Sequence, residues 1–398
     1  MHKILFISHL YPLPTDPFYG MVVHRQALEL KNLGCDVRII SPILNIPKGV
    51  SKLKKKWTNI QKIESKRDLE GITVYHPKTN PLVAKYLPHK AGLYNFNKFK
   101  GLIDEVYSEF NFTHVHAQTA LTNGSLGLEI SRKYNVPLIT TVNGTDIDHL
   151  IYRNKQSLIN MKKVLKESDA VTTPSIIIKQ KLKDRLRIDS NFIGRGIYLN
   201  HTYSGKTALE EKYRNKFIIL SVSKLIQSKG INMNLIAISK LPAQIRDNIK
   251  YIVIGKGPQE SELKKLVEKL GLNNIVEFKG FQEKNKVMEY MFICDLFSLP
   301  SWQETFGLVY LEAMSHGKPV IGSQNHGVDG IVKHMVNGFL VEEKNIDHLS
   351  YLIDFCVNNE RVIKHLGNNA KELVENNFTW EKIAVKNKNL YEEVNKKL

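Results

Sequence analysis

The stretch SLPSWQETFGLVYLEAMSHGKPVIGS, residues 298–323, holds a strand end, a loop, a helix and a new strand in immediate succession. The apolar run DLFSLP stops at Pro300, the loop after it carries Glu304, and a helix is expected to begin near Thr305 or Phe306 with Gly307 inside its first turn. KPVIGS then resumes the β-branched character of a strand. A strand joined to another through a helix is the repeating unit of a parallel sheet. The start of such a helix leaves backbone N–H groups free at the positive end of the dipole, which suits a diphosphate. Gly307 lets the anion approach where a side chain would block it.

Outward from this unit the same grammar repeats. Upstream stand KFIILSVS, a helix after Gly230, KYIVIG, a helix over Glu260 to Leu270, IVEFKG and a helix over Lys284 to Met291. The first half reads KILFIS, Gly20 to Leu33, DVRIIS, a basic insertion, ITVYHP, a helix near Asn95 to Phe110, THVHA, Leu121 to Lys133 and PLITTV. Two doubly wound α/β domains follow, residues 1–197 and 198–377, joined around the polar stretch GIYLNHTYSGKT. In residues 378–398, Trp380, Ile383, Leu390 and Tyr391 fall on a helical repeat without a strand to follow, so this helix is expected to pack back onto the first domain. Parallel sheets present ligands at the carboxyl ends of their strands, which places the expected site in a cleft between the domains.

A chain of 398 residues exceeds what one hydrophobic core accommodates, and its 42% hydrophobic and 24% charged composition is that of a folded globular protein. Cys35, Cys294 and Cys356 have neither zinc-site spacing nor a disulfide framework and read as core residues of a reducing compartment. The start Ile4 to Leu10 reads as a buried strand rather than an export signal, and no apolar run approaches the ~20 residues that span a bilayer. A cytoplasmic protein is expected. Its net charge of +18 (57 minus 39) attracts polyanions: nucleic acid, anionic lipid or phosphorylated substrates. From Lys48 to Arg67 there are eight Lys or Arg against one acid, Glu64, and Leu53, Trp57 and Ile60 fall at helical spacing beside Lys54, Lys55 and Lys56. Two readings stand for this insertion: a face lying on the anionic inner surface of the plasma membrane, or a solvated basic loop. Nucleic acid is not expected as a partner, because no recognised binding module interleaves basic and aromatic residues.

The 298–323 segment resembles glycosyltransferase family 4, whose mark is two glutamates separated by seven residues, here Glu304 and Glu312 in ETFGLVYLE. The resemblance extends through GKGPQESELKKL, VEFKGF, NHGVDGIV, NGFLV and FTWEKIA. It implies a GT-B fold, two Rossmann-like doubly wound domains facing a central cleft, and transfer of a sugar with retention from a nucleotide diphosphate donor, most often UDP-linked. The acceptor it implies is a glycan or lipid-linked molecule of bacterial surface polysaccharide biosynthesis. By the same resemblance Glu304 acts catalytically on the donor sugar hydroxyls, Glu312 holds the ribose, and Phe306, Gly307 and Leu308 line the donor site. In SVSKLIQSKGI, Lys224 and Lys229 follow a strand end, where two cations neutralise a leaving diphosphate. The family has Gly-Arg where this chain has Ser223-Lys224, so a point charge stands in for the guanidinium fork.

At the amino end, FYGMVVHRQALEL resembles the family's glycine-containing approach to the first helix, with Gly20 offering backbone donors near phosphate or acceptor. THVHAQ ends a strand where the family has a histidine beside the donor sugar, which assigns His116 a catalytic role; a core histidine is the other reading. TVNGTDI resembles the family's His-Gly-x-Asp turn with Asn143 in place of His, retaining Gly144 and Asp146 on the acceptor side. GRGI resembles the linker Asn-Gly-Val/Ile with Arg195 in place of Asn, directed into the cleft or out to water. Asp146-Ile147-Asp148 imitates the Asp-x-Asp metal site of the other large glycosyltransferase fold, yet the lysines already supply the charge, so neither metal nor cofactor is expected. GKGPQE imitates a dinucleotide fingerprint, but Glu260 occupies the place of its third glycine. The alternatives are a sugar phosphorylase or epimerase of the same shape, and, less favoured, a basic nucleic-acid-binding protein.

Overall fold

The alternation of apolar runs and amphipathic stretches closes into two separate sheets, one in each of two units of a computed structural model that describes residues 2–46, 49, 55–149, 154–199, 203, 205 and 207–396. The first unit comprises Met1–Pro174, Ile178–Gly194 and Trp380–Leu398, and the second Ser175–Ile177 and Arg195–Thr379. The chain therefore passes between units at Gly194 and returns at Trp380.

Among the described residues ten strands belong to the first unit: β1 (Lys3–Ile7), β2 (Asp36–Ile40), β3 (Ile43–Leu44), β4 (Lys66–Leu69), β5 (Ile72–Tyr75), β6 (Lys78–Thr79), β7 (His114–Gln118), β8 (Leu138–Thr141), β9 (Ala170–Thr173) and β10 (Asn191–Phe192). Eight of them form one sheet in the order β10-β9-β8-β7-β1-β2-β5-β4, and β3 pairs with β6. All neighbours in the large sheet are parallel except β4 and β5, a hairpin whose turn residues Glu70 and Gly71 both have positive φ, as its tight geometry requires. From β1 the chain builds β2 and β5 on one side, then crosses to β7, β8 and β9 on the other, so the order reverses between β1 and β7. In open α/β sheets ligands bind at the carboxyl ends of strands where the order reverses.

Leu5, Ile7, Val115 and Leu138 of this sheet pack against Phe99, Ile103 and Val106 of the helix Pro88–Phe110. That helix starts seven residues before Asn95, where its proline is tolerated in the first turn, and ends at Asn111 in a left-handed cap. The helix Trp380–Asn395 buries Trp380, Ile383, Ala384, Asn387, Leu390, Tyr391 and Val394, the three- and four-residue spacing of one apolar face. In the basic insertion, the backbone of Lys55–Gln61 is helical, while Leu53 and Lys54 lie outside the described residues. Ile60, 8% exposed, packs with Ile43, Ile46 and Ile63. It faces the interior of its own unit, because burial there removes apolar area from water.

Six parallel strands make the second sheet: β11 (Phe217–Val222), β12 (Ile249–Ile254), β13 (Val276–Gly280), β14 (Leu296–Ser298), β15 (Val320–Ser323) and β16 (Phe339–Val341), in the order β13-β12-β11-β14-β15-β16. Here the order reverses between β11 and β14. Under that point lies a wholly buried polar network: Asn234 donates to Tyr251 Oη (3.0 Å) and to the Ser298 carbonyl (3.1 Å), and accepts from Ser298 Oγ (2.7 Å). Each buried polar group has its partner, so the network locks β11, β12 and β14 to the helix Ile231–Ser239. Among the described residues no helix is long and apolar enough to cross a membrane.

Candidate active site

The second unit gathers most of the expected site at the carboxyl ends of β11, β14 and β15. After β11 the chain makes a short 3₁₀ turn, Gln227–Lys229, and the loop after β14 is stitched to it: Ser301 Oγ and the Trp302 N–H both donate to the Ser228 carbonyl (3.0 Å each). This brings Lys229 Nζ to 2.5 Å from Glu304 Oε2, a pair in which each side chain is 18% exposed. The Thr305 N–H donates to the other carboxylate oxygen at 3.2 Å, and the Gly327 N–H holds the Glu304 carbonyl at 2.9 Å. Glu304 is thus fixed from three directions.

The helix begins at Leu308, later than Thr305 or Phe306, and runs to Ser315. Gly307 is its cap, not a residue of its first turn: φ is +82°, and a Cβ would stand 2.5 Å from the Tyr310 ring. The left-handed cap and the ring behind it set where the first free N–H groups of the helix point. Tyr310 itself is anchored by donating to the Leu299 carbonyl. Phe306 is 2% exposed, with its ring 6.3 Å from that of Phe378, so its side chain is a core anchor rather than a wall of the site. Leu308 is partly exposed at the helix start. Further along, Glu312 pairs with Lys284. Lys224 is exposed and, among the described residues, enters no ion pair. Arg195 is half-buried rather than directed to water, and loss of solvation pulls its guanidinium down to about 10.

In the first unit the expected residues have largely structural roles. His116 is 0% exposed: Nδ1 lies 2.7 Å from Tyr391 Oη, Nε2 lies 2.7 Å from Thr141 Oγ1, and the ring stacks on Phe6. Burial holds its pKa down at about 3. With both nitrogens occupied and no exposed surface, His116 is the core histidine, and the catalytic assignment is corrected. Asn143 and Asp146 form a capping box on the short helix Gly144–Asp148. Asp146, buried, accepts from the Asn143 N–H (2.9 Å) and the Ala120 N–H (3.1 Å), while burial raises its pKa to about 6. Asp148 instead pairs with Lys181 (2.8 Å) and Arg185 (3.3 Å), so the two aspartates do not converge. Gly20 caps the helix Met21–Asn32 with φ +67° directly against the Leu10 backbone, a place no side chain fits.

Sequence reasoning missed His9 and Asn123. His9 lies two residues past β1, and its Nδ1 is 3.0 Å from the Asn123 amide nitrogen, on the turn that follows β7. The only sequence signal is a polar Ser8-His9 pair at the end of an apolar run.

A family model described as Glycosyltransferase Family 4 matches residues 20–201, and one described as Glycosyl transferases group 1 matches residues 207–373. Among curated relatives, a provisionally named teichuronic acid biosynthesis glycosyltransferase of Bacillus subtilis is 25% identical over 88% of this chain and 88% of its own. An uncharacterized glycosyltransferase of Methanocaldococcus jannaschii is 26% identical over 81% of this chain and 85% of its own. Of solved structures, sucrose-phosphate synthase from Thermosynechococcus elongatus superposes with a TM-score of 0.76 at 20% identity, covering 100% of both chains. The Anabaena protein HepE in complex with UDP gives 0.72 at 18% identity, covering 99% of this chain and 100% of its own.

Proposed function

The chain belongs to glycosyltransferase family 4 and has the GT-B fold with its two Rossmann-like domains, and on that premise we propose that it is a retaining, metal-independent enzyme using a UDP-linked sugar donor. The observation that carries this reading is the Lys229–Glu304 pair at the head of the helix Leu308–Ser315. Glu304, fixed by Lys229, Thr305 and Gly327, holds donor sugar hydroxyls. Lys229, Lys224 and the first N–H groups of the helix meet the diphosphate, whose negative charge grows as the anomeric C–O bond breaks. The acceptor hydroxyl then bonds to the anomeric carbon on the face the diphosphate leaves, and its proton passes to a leaving phosphate oxygen. Glu312 reaches the ribose from within the helix. Two lysines and a helix start provide the charge stabilisation that a divalent ion gives in other transferases, which supports a metal-independent reaction.

The acceptor we propose is a glycan or lipid-linked molecule of bacterial surface polysaccharide synthesis, with the chain held at an anionic membrane by its cationic surface. Support comes from the teichuronic acid name of the Bacillus subtilis relative, and from a Streptococcus pneumoniae relative named alpha-monoglucosyldiacylglycerol synthase, 28% identical over 59% of this chain and 57% of its own. The test is a thermal-shift and hydrolysis screen against UDP-, GDP- and ADP-sugars with chelator present. A UDP-sugar should raise the melting temperature and turn over in chelator; an absolute requirement for magnesium or manganese would overturn the metal-independent reading.

A further inference from the structure

From Gly71 to Ile103 the chain carries five lysines, Lys78, Lys85, Lys90, Lys98 and Lys100, and no Asp or Glu. Within that acid-free stretch lie the helix Pro81–Tyr86, the single residue Leu87 and the start of the helix Pro88–Phe110. Asn80 caps the shorter helix by accepting from the Leu82 N–H at 2.9 Å, and a proline opens each of the two. Four apolar side chains here reach solvent: Leu82 is 64% exposed, Tyr86 59%, Leu87 42% and Leu93 54%. A single exposed leucine is ordinary on a protein surface. Four such side chains in one short stretch form a patch with a purpose.

The packing beneath holds these side chains outward. The long helix buries Ala91, Gly92, Asn95, Phe99 and Ile103, while Lys90, Leu93, Asn97 and Lys100 recur on its exposed face. A Cβ on Gly92 would stand 2.1 Å from the Ser125 side chain, so the helix is already pressed against its neighbour. Thr79 donates to Asn95 Oδ1 at 2.5 Å, and Asn160 donates to the His89 carbonyl at 3.1 Å, which ties the helix Lys155–Glu167 to the first turn. That third helix adds an exposed Ile159, with Lys155, Lys162, Lys163 and Lys166 at helical spacing around it and no acid before Glu167. Leu82 and Tyr86 stand one turn apart on a common face, and Lys85 Nζ lies 4.8 Å from the Tyr86 ring centroid.

We propose that this face, Leu82, Tyr86, Leu87 and Leu93 among their lysines, is the surface by which the first unit rests on an anionic lipid membrane. Lysine is depleted from the cores of protein interfaces, whereas a headgroup layer accommodates it: the ammonium stays among lipid phosphates while its stem and the leucines reach below. Tyr86 divides in the same way, into an apolar ring and a polar hydroxyl. A second copy of the chain fits poorly, because a two-fold contact through this face sets lysines against lysines. The proposal rests on the membrane reading above and deepens it, naming the face and adding an apolar contribution to the charge. Four side chains are too few to hold the chain without the cations, so added salt still releases it.

The experiment sediments the full chain with mixed phosphatidylserine and phosphatidylcholine vesicles at physiological salt, where the wild type should bind. Leu82→Ser combined with Leu93→Ser should weaken vesicle affinity about tenfold, while calorimetry finds UDP affinity within about twofold, since exposed positions away from the donor residues leave the fold intact. Tyr86→Trp in a Trp57→Phe background should shift its fluorescence to the blue when vesicles are added. Tyr351→Trp in the same background, exposed on the helix Ile346–Asn358 of the second unit, should not. Undiminished sedimentation of the double serine variant, an unchanged emission of Tyr86→Trp while that chain sediments, or equal shifts at both positions would overturn the proposal and leave the membrane reading standing. A wild type that binds no anionic vesicle would remove the membrane reading and this proposal together, with the transferase reading untouched.

Discussion

Glu304 is positioned before any donor arrives, because Lys229 at 2.5 Å and the Thr305 N–H at 3.2 Å already hold both of its oxygens. Glu304→Gln leaves a single acceptor oxygen for two donors, so it should keep the affinity for free UDP yet lose one of these hydrogen bonds and the charge that orients the sugar. Mispositioning by about 1 Å costs ~100-fold in rate, so transfer measured by product formation should fall at least that far. Glu312→Gln should behave in the opposite way, loosening UDP itself in calorimetry, since its proposed part is to hold the ribose and its pair with Lys284 of a different helix depends on the carboxylate charge. Wild-type transfer by Glu304→Gln would end the proposed division of labour. The two glutamates were legible because their spacing and the strand-to-helix change around them are local. His116 was not: what decides its role is Tyr391, 275 residues away in sequence, whose hydroxyl closes the second nitrogen of the ring. A strand pattern gives the position of a histidine along the sheet, while the helix that covers it comes from the other end of the chain.

Helix caps and buried imidazoles carry predictions at the next scale up. Replacing Gly307 by Ala forces a side chain into φ +82° and against the Tyr310 ring at 2.5 Å. Left-handed backbone costs about 1–2 kcal/mol and the clash a similar amount, so urea unfolding should report a loss of about 2–4 kcal/mol. A loss below about 1 kcal/mol would mean that the cap relaxes freely. In the first unit, burial lowers His76 and His114 to about 4 and His116 to about 3. An imidazole with a depressed folded-state pKa contributes stability that is full above the unfolded value near 6.5 and is lost as pH falls through that value. Between pH 7 and pH 5 each of the three costs about 2 kcal/mol, because only the unfolded chain takes up the proton. Asp146, raised to about 6, works the other way and returns about 1 kcal/mol as it protonates in the fold. The histidines outweigh it, and the urea midpoint of the full chain should drop from pH 7 to pH 5; a flat profile would contradict their enclosure. The β4–β5 hairpin shows what the sequence held but an α/β reading passed over. Glu70-Gly71 just before the β-branched run Ile72–Tyr75 is a hairpin signal, hidden because Lys66 and Arg67 were absorbed into the basic insertion.

The molecule as a whole carries +18, and the membrane association proposed for it rests on that charge. Alternating strands and helices made both parallel sheets legible, since each run of apolar residues has only one kind of partner. The stripe expected to face a membrane was less so, because helical spacing of Leu53, Trp57 and Ile60 is equally the signature of a helix buried against its own domain. Ile60 takes the second course, packed on Ile43, Ile46 and Ile63. Any hold on lipid by the Lys48 to Arg67 insertion then has less apolar insertion to draw on and depends chiefly on its eight cations. Near an anionic surface each Lys or Arg contributes about 1 kcal/mol, and that attraction decays within a Debye length of ~8 Å at physiological salt. Sedimentation with phosphatidylserine-containing vesicles should therefore be strong at low salt, fall steeply by about 0.5 M, and be absent with phosphatidylcholine alone. Changing Lys54, Lys55 and Lys56 to Glu should abolish it at physiological salt. Sedimentation that survives high salt would instead require an apolar anchor, and equal sedimentation of both proteins would leave the insertion a solvated basic surface.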